Sequence, residues 1–406
     1  MKVIARNKRD LDKGIDSKYN PEISIVLRYR NAFQFGMTEE NNLEYKEELE
    51  KTSIREGARI FPLLAYKGVE IFILDETSLM HTKTLKSIDG CITIARCKIN
   101  GDDRVVFESG GNTGTALTQY GIRAGLETFM FIPEENLSLL NGKIFESNKA
   151  HLFSVEKPGL VKEAAHLLGK LNGLKHIPET DWRYEASMFR GFLILEYMLE
   201  KEKFDWLTQT ISAAFGPIGI YRVLKGFGKE IGQLPRFLGI QQEANSPLFT
   251  AWKKGETDTE PAKMNSTNKL LTKVMYDRHP QTYGTFEEFR NILSATGGDL
   301  TTVNQQEFTD FLKDEFDGKT ILNFLKDHGI EITLNNGEVV EKTGLMALAG
   351  ALKEIDNGMI AKGSKVLCCL TSGISEADGK AKPEITISSL GEISKGLFKK
   401  PGWLND

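Results

Sequence analysis

RVVFESGGNTGTALTQYGIRAGLETFMFIP, residues 104–133, reads as a strand, a glycine turn, a helix and a second strand. RVVFESGG (104–111) is an apolar run closing in glycines, NTGTALTQYGIRAGL (112–126) has the length and periodicity of a helix, and ETFMFIP (127–133) is a second apolar run closed by proline. That order is a βαβ unit, which implies parallel pairing through a right-handed crossover. At the turn ESGGNTG (108–114), backbone N–H groups at a helix start are disposed to meet an anion, because the helix dipole favours negative charge there. Gly110, Gly111 and Gly114 lack the GxGxxG spacing of a dinucleotide fingerprint, so a nicotinamide cofactor is disfavoured.

The alternation continues on both sides. Strands are expected at VEIFILDE (69–76), HLFSVE (151–156), PRFLGIQQE (235–243) and KVLCCLTSG (365–373), and DWLTQTISAAFG (205–216) reads as a strand entering a turn. Helices are expected at KSIDGCITIARCKI (86–99), GLVKEAAHLLGKLNG (159–173), EASMFRGFLILEYMLEKE (185–202), IGIYRVLKGFGKEIG (218–232) and GLMALAGALKEIDNG (344–358). Residues 253–340 are more polar, with several helices and few strands, and GEVVEKTG (337–344) reads as a short connection. The fold class is therefore α/β with mostly parallel sheets.

The chain has 406 residues, 40% hydrophobic and 27% charged, enough apolar material for two domains. A net charge of −4 gives no basic excess to attract nucleic acid or anionic lipid, so a small-molecule substrate is expected. The start, MKVIARNKRDLDKG, lacks the apolar core of a secretory leader, and no apolar run approaches the ~18 residues of a membrane span, so a cytoplasmic location is expected. Cys91, Cys97, Cys368 and Cys369 match no zinc spacing; reduced, buried thiols and no metal are expected.

ESGGNTGTALTQYGIRAGLETFMFIP resembles the asparagine-loop segment of pyridoxal 5′-phosphate (PLP) enzymes of fold type II, the relatives of threonine synthase, tryptophan synthase β and O-acetylserine sulfhydrylase. The resemblance implies that the Asn112 side chain meets the cofactor's phenolic oxygen and that backbone donors at Ser109, Gly110, Gly111 and Thr113 hold the substrate carboxylate. HTKTLKSIDG (81–90) occupies the place of the family's Schiff-base lysine segment; Lys83 and Lys86 compete, and alignment of Thr82, Thr84 and Leu85 favours Lys86. SAAFGPIGIYRVLKG (212–226) resembles the phosphate loop, with Gly216 and Gly219 at family glycines and Pro217 removing one N–H donor. LCCLTSG (367–373) supplies a hydroxyl for the pyridine nitrogen, Thr371 before Ser372. Glu108 reads as a strand-end carboxylate; Arg183, Arg190 and His279 are candidates to meet a phosphate or sulfonate group but read first as surface or salt-bridge residues.

QQEANSPLFTAW (241–252), YDRHPQTYGTF (276–286), LSATGGDLTTVN (293–304) and FLKDHGIEI (324–332) look like the threonine synthase and cysteate synthase branch. The resemblance covers roughly 60–405 and implies a large domain of 1–89 and 206–406, a small mobile domain of 90–205, the cofactor in the cleft between them, and a homodimer. It implies β-elimination or β-replacement on an activated amino acid such as O-phosphoserine. γ-Replacement on O-phosphohomoserine, or a partner protein that has lost turnover, stands as the alternative.

Overall fold

Apolar runs flanked by glycine turns account for most of the architecture of the computed structural model, which describes residues 1–177, 180–261, 267, 270–277, 284–333, 339, 342–372 and 381–394. His279, Gly373 and half of the 337–344 connection lie outside the described residues. A six-stranded sheet has the spatial order Asp299–Val303, Arg236–Gln242, Trp206–Thr210, Lys365–Leu370, Val69–Asp75 and Arg59–Tyr66. Its strands pair in parallel except the last two, which form an antiparallel hairpin. That hairpin turns on Lys67 and Gly68, at φ +50° and +80°, the left-handed backbone a two-residue turn between twisted strands requires. The edge strand Arg59–Tyr66 was not expected from sequence: Pro62 interrupts it, and its register shifts between Pro62 and Leu64. An edge position tolerates a residue without an N–H.

A five-stranded, fully parallel sheet has the order Ile385–Ile387, Ala150–Val155, Glu127–Pro133, Arg104–Glu108 and Lys175–Ile177. Two features cut across the expected division at 206. The strand Ile385–Ile387 comes from the segment assigned to the large domain, yet pairs with Ala150–Val155. The helix Thr180–Glu200, from the segment assigned to the small domain, packs on Phe215–Leu224, which follows a strand of the six-stranded sheet. Gly191 makes that approach possible, since a Cβ there would lie 3.0 Å from the Ile220 carbonyl oxygen.

Three apolar clusters hold the layers together. One, built on Ile71, Ile240, Phe308, Leu345, Leu348 and Val366, covers one face of the six-stranded sheet beneath the helix Thr343–Asp356. A second, with Phe129, Phe153 and Leu168, lies between the five-stranded sheet and the helix Val161–Asn172. The third runs between the sheets through the helices Lys86–Asn100, Asn112–Ala124, Thr180–Glu200 and Phe215–Leu224. All four cysteines are buried and none is in a disulfide, as expected. Burial pushes the Cys91 and Cys369 thiols well up and the Cys368 thiol to about 12. Among the described residues, no helix is long and apolar enough to cross a membrane, and no cluster of metal-ligating side chains is present.

Candidate active site

Parallel strands deliver their C-terminal ends, and the N-termini of the helices that follow them, to the same side of a sheet. Here both sheets do so toward one cleft, lined by Thr84–Lys86, Glu108–Thr113, Gln209–Gly216, Val274–Asp277, Thr343 and Thr371–Ser372, with Lys162 and Arg183 at its wall.

Lys86 is the first residue of its helix. The loop before it is set by hydroxyls. Asp75, fully buried at the strand end, accepts from the Thr77 and Ser78 amides at 3.0 and 3.1 Å. Thr84 Oγ1 accepts from the Lys86 amide at 3.1 Å, and Thr82 Oγ1 lies 2.9 Å from Ser87 Oγ. The two candidate lysines separate cleanly. Lys86 lines the cleft, and its Nζ lies 2.9 Å from Asp89 Oδ2. Lys83 is exposed, with φ +59°, and its Nζ donates to the Ser78 carbonyl at 3.2 Å.

The asparagine loop follows the strand Arg104–Glu108, and Asn112 opens the next helix. Asn112 Nδ2 donates to Ser372 Oγ at 3.4 Å, joining the two sheets' strand ends. Ser109 and Gly111 line the cleft, but their amides are engaged within the protein. The Ser109 amide donates to the Phe131 carbonyl at 2.9 Å. Ser109 Oγ accepts from the Gly111 and Gly114 amides at 3.0 and 2.8 Å. Two of the donors expected to hold a carboxylate are thus engaged in shaping the turn, while Gly110, Asn112 and Thr113 also face the cleft. Gly110 abuts the opposite wall, where a Cβ would meet the Val274 carbonyl oxygen at 2.7 Å. Fully buried Asn136 ties these walls together by donating to the Gly110 and Lys273 carbonyls at 2.9 and 3.1 Å.

The third helix start, Phe215–Leu224, begins three residues earlier than its sequence pattern suggested. Pro217 falls in the first turn, where a missing N–H breaks no helical bond. Ala214, at φ +60°, makes the sharp entry. Gly216 lines the cleft, but Gly219 does not. A Cβ on Gly219 would meet the Tyr184 carbonyl oxygen at 2.6 Å and Ser187 Cβ at 2.4 Å, so this glycine serves helix packing, away from the lining where a cofactor contact was expected.

Thr371 ends the strand Lys365–Leu370, and its Oγ1 is buried without a partner among the described residues. An orphaned hydroxyl facing a cleft calls for a ligand atom that accepts or donates one hydrogen bond. Other residues on the lining were named in the sequence without a role at the site, or were not singled out at all. Glu108 lies on the wall with its Oε2 3.0 Å from His176 Nε2. Arg183, read first as a surface or salt-bridge residue, also lines the wall. Lys162 and Asp277 pair across the cleft mouth at 2.9 Å. Only chain topology brings these positions together, and no local motif marks them. Arg190 is completely buried, bound to Glu76 through Nε and, at 2.7 Å, through Nη2. Burial pushes the Glu76 carboxyl above its usual range against the pull of Arg190.

No protein-family model matches the chain. A cysteate synthase from Methanosarcina mazei is 23% identical over 352 residues, covering 82% of this chain and 80% of the relative. A threonine synthase from Methanosarcina acetivorans is 24% identical over 379 residues, covering 87% and 84%. Among solved structures, a pyridoxal 5′-phosphate-dependent aspartate racemase superimposes with a TM-score of 0.63 at 18% identity over 84% of this chain and 97% of that one. The processed threonine deaminase isoform 2 of Solanum lycopersicum superimposes with a TM-score of 0.59 at 14% identity over 89% of each chain. The chain has the fold of the type II PLP enzymes, and its sequence relatives are named as cysteate and threonine synthases.

Proposed function

We propose that this chain, a fold type II protein with cysteate and threonine synthases as relatives, is a PLP-dependent enzyme that removes a leaving group from Cβ of an activated amino acid such as O-phosphoserine and replaces it with a nucleophile. The observation that carries the reading is the meeting, in one cleft, of Lys86 at one helix start, Asn112 and Gly216 at two others, and the orphaned Thr371 hydroxyl. This donor set fits PLP: an amine for its aldehyde, a neutral hydroxyl for its ring nitrogen and helix N-termini for its phosphate.

When bound, PLP supplies the electron sink that lets a substrate's Cα give up its proton. Lys86 Nζ would hold the cofactor through its aldehyde and is the base placed to take the Cα proton. Asp89, 2.9 Å away, steadies the resulting ammonium. Thr371 Oγ1 would offer the ring nitrogen a hydrogen bond but no ionisable proton, a setting that favours loss at Cβ over amino-group transfer. Asn112 and the loop around Thr113 orient the substrate beside Lys86, and Lys162 and Asp277 narrow the mouth against water. The same reading includes a homodimer working in the cytoplasm.

Borohydride treatment of the purified protein should fix the cofactor to the peptide bearing Lys86, and Lys86→Ala should abolish both the trapped adduct and the yellow colour. O-Phosphoserine with sulfite or a thiol should then release phosphate. Turnover of O-phosphohomoserine alone would replace the β-reading by the γ-reading. A protein that never colours with added PLP would end both and leave the reading of a partner without turnover.

A further inference from the structure

A buried guanidinium beside the phosphate turn has one nitrogen to spare. The Arg190 side chain is about 1% exposed, and two of its nitrogens are engaged: Nε and Nη2 by Glu76, with Nη2 also donating to Gln209 Oε1 at 2.9 Å. Nη1 is buried and has no partner among the described residues. It points at the turn between Trp206–Thr210 and Phe215–Leu224: a Cβ on Gly216 would lie 2.8 Å from Nη1 and 2.4 Å from Gln209 Nε2. Gly216 and Gln209 both line the cleft. The helix start is short of donors, because Pro217 has no N–H and the Ile218 amide already bonds to the Ala214 carbonyl. A fully buried N–H without an acceptor is costly, and the cost is removed if an anion arrives at the neighbouring turn.

We infer that Arg190, whose Nη1 packs against Gly216 in the place a Cβ would take, anchors the cofactor's phosphate from behind the turn and makes good the donor missing at Pro217. The assignment rests on the PLP reading above. Glu76 has a supporting part, fixing the guanidinium plane through Nε and Nη2 so that Nη1 is left against Gly216, while Nη2 also holds the Gln209 side chain. Glu76 leaves Nη1 without an acceptor, so the pair does not satisfy the side chain by itself.

Comparison of PLP with pyridoxal, which has the same aldehyde and ring without the phosphate, isolates this contact. Dissociation constants for both are measured on the wild-type protein, on Arg190→Lys, which retains a cation for Glu76, and on the doubly neutral Glu76→Gln/Arg190→Gln. Thermal melts verify folding. Both variants should bind PLP roughly 10- to 100-fold more weakly, the worth of one or two charge-assisted hydrogen bonds, with pyridoxal affinity unchanged within about threefold. Inorganic phosphate should raise the melting temperature of the wild-type apoprotein and leave that of the variants unmoved. Equal losses for PLP and pyridoxal, or an unchanged preference for PLP, would overturn the role of Arg190 while leaving the PLP reading intact. A wild-type protein that binds neither compound overturns both.

Discussion

The backbone amide of Leu85 donates to the carbonyl of Thr371 at 2.9 Å, and Thr84 and Ser372 form an antiparallel bridge beside it. The residue preceding the lysine is thereby fastened to the strand end that carries the orphaned hydroxyl. Lysine and hydroxyl keep their separation whatever the opposite wall of the cleft does, so one face of the site is rigid.

That rigidity makes Thr371→Val informative. Valine matches the shape and removes a buried oxygen that has no partner among the described residues. The apoprotein should be unchanged or more stable by about 1 kcal/mol, because a desolvated, unsatisfied group is gone. Cofactor affinity should fall about tenfold, the worth of one hydrogen bond of roughly 1.4 kcal/mol. Chemical unfolding of the apoprotein and a PLP titration check the two halves. Loss of stability in the apo form would mean that Thr371 holds the fold.

Lys162 and Asp277 belong to opposite walls and meet at 2.9 Å, with side chains 31% and 16% exposed. Asp277→Asn should loosen the mouth while costing no more than about 1 kcal/mol of stability, as expected for a partly exposed pair. KM for the amino-acid substrate should rise more than kcat falls. A drop in kcat at constant KM would instead assign Asp277 to the chemistry.

Glu50 governs part of the acid response. Hydrogen bonds from Tyr19 and Lys18, with Arg30 nearby, hold its carboxyl down at about 2. A depressed carboxyl stabilises the fold above its unfolded value of 4.5 and loses that contribution as the pH falls from about 4.5 to about 2. Glu50 is exposed, so 1 M salt should shrink the effect. Glu50→Gln should flatten that limb of the stability profile relative to wild type and leave the profile above pH 6 parallel. An identical acid limb in the variant would refute the assignment.

Much of this molecule was legible in its sequence, and the exceptions share a cause. Strands such as Val69–Asp75 and Arg236–Gln242 are central and buried on both faces, so they appear as unbroken apolar runs. The edge strand Arg59–Tyr66 is only partly buried and carries Pro62, which erased that signal. At the site, residues on one local turn were found together: Lys86 with Thr84, and Asn112 with Ser109. Gly219 was misplaced because a glycine needed for a helix crossing looks, in sequence, like one needed for a phosphate. Lys162 and Asp277 lie 115 residues apart and were out of reach of any local pattern.

The pairing of Ile385–Ile387 with Ala150–Val155 has a consequence for synthesis of the protein. Ser154 and Thr386, whose hydroxyls meet at 2.8 Å, are 232 residues apart. A nascent chain can assemble four strands of the smaller sheet early, but must then hold the outer edge of Ala150–Val155 open until Ile385–Ile387 has left the ribosome. That exposed edge is the place where premature release or stalled translation would invite aggregation.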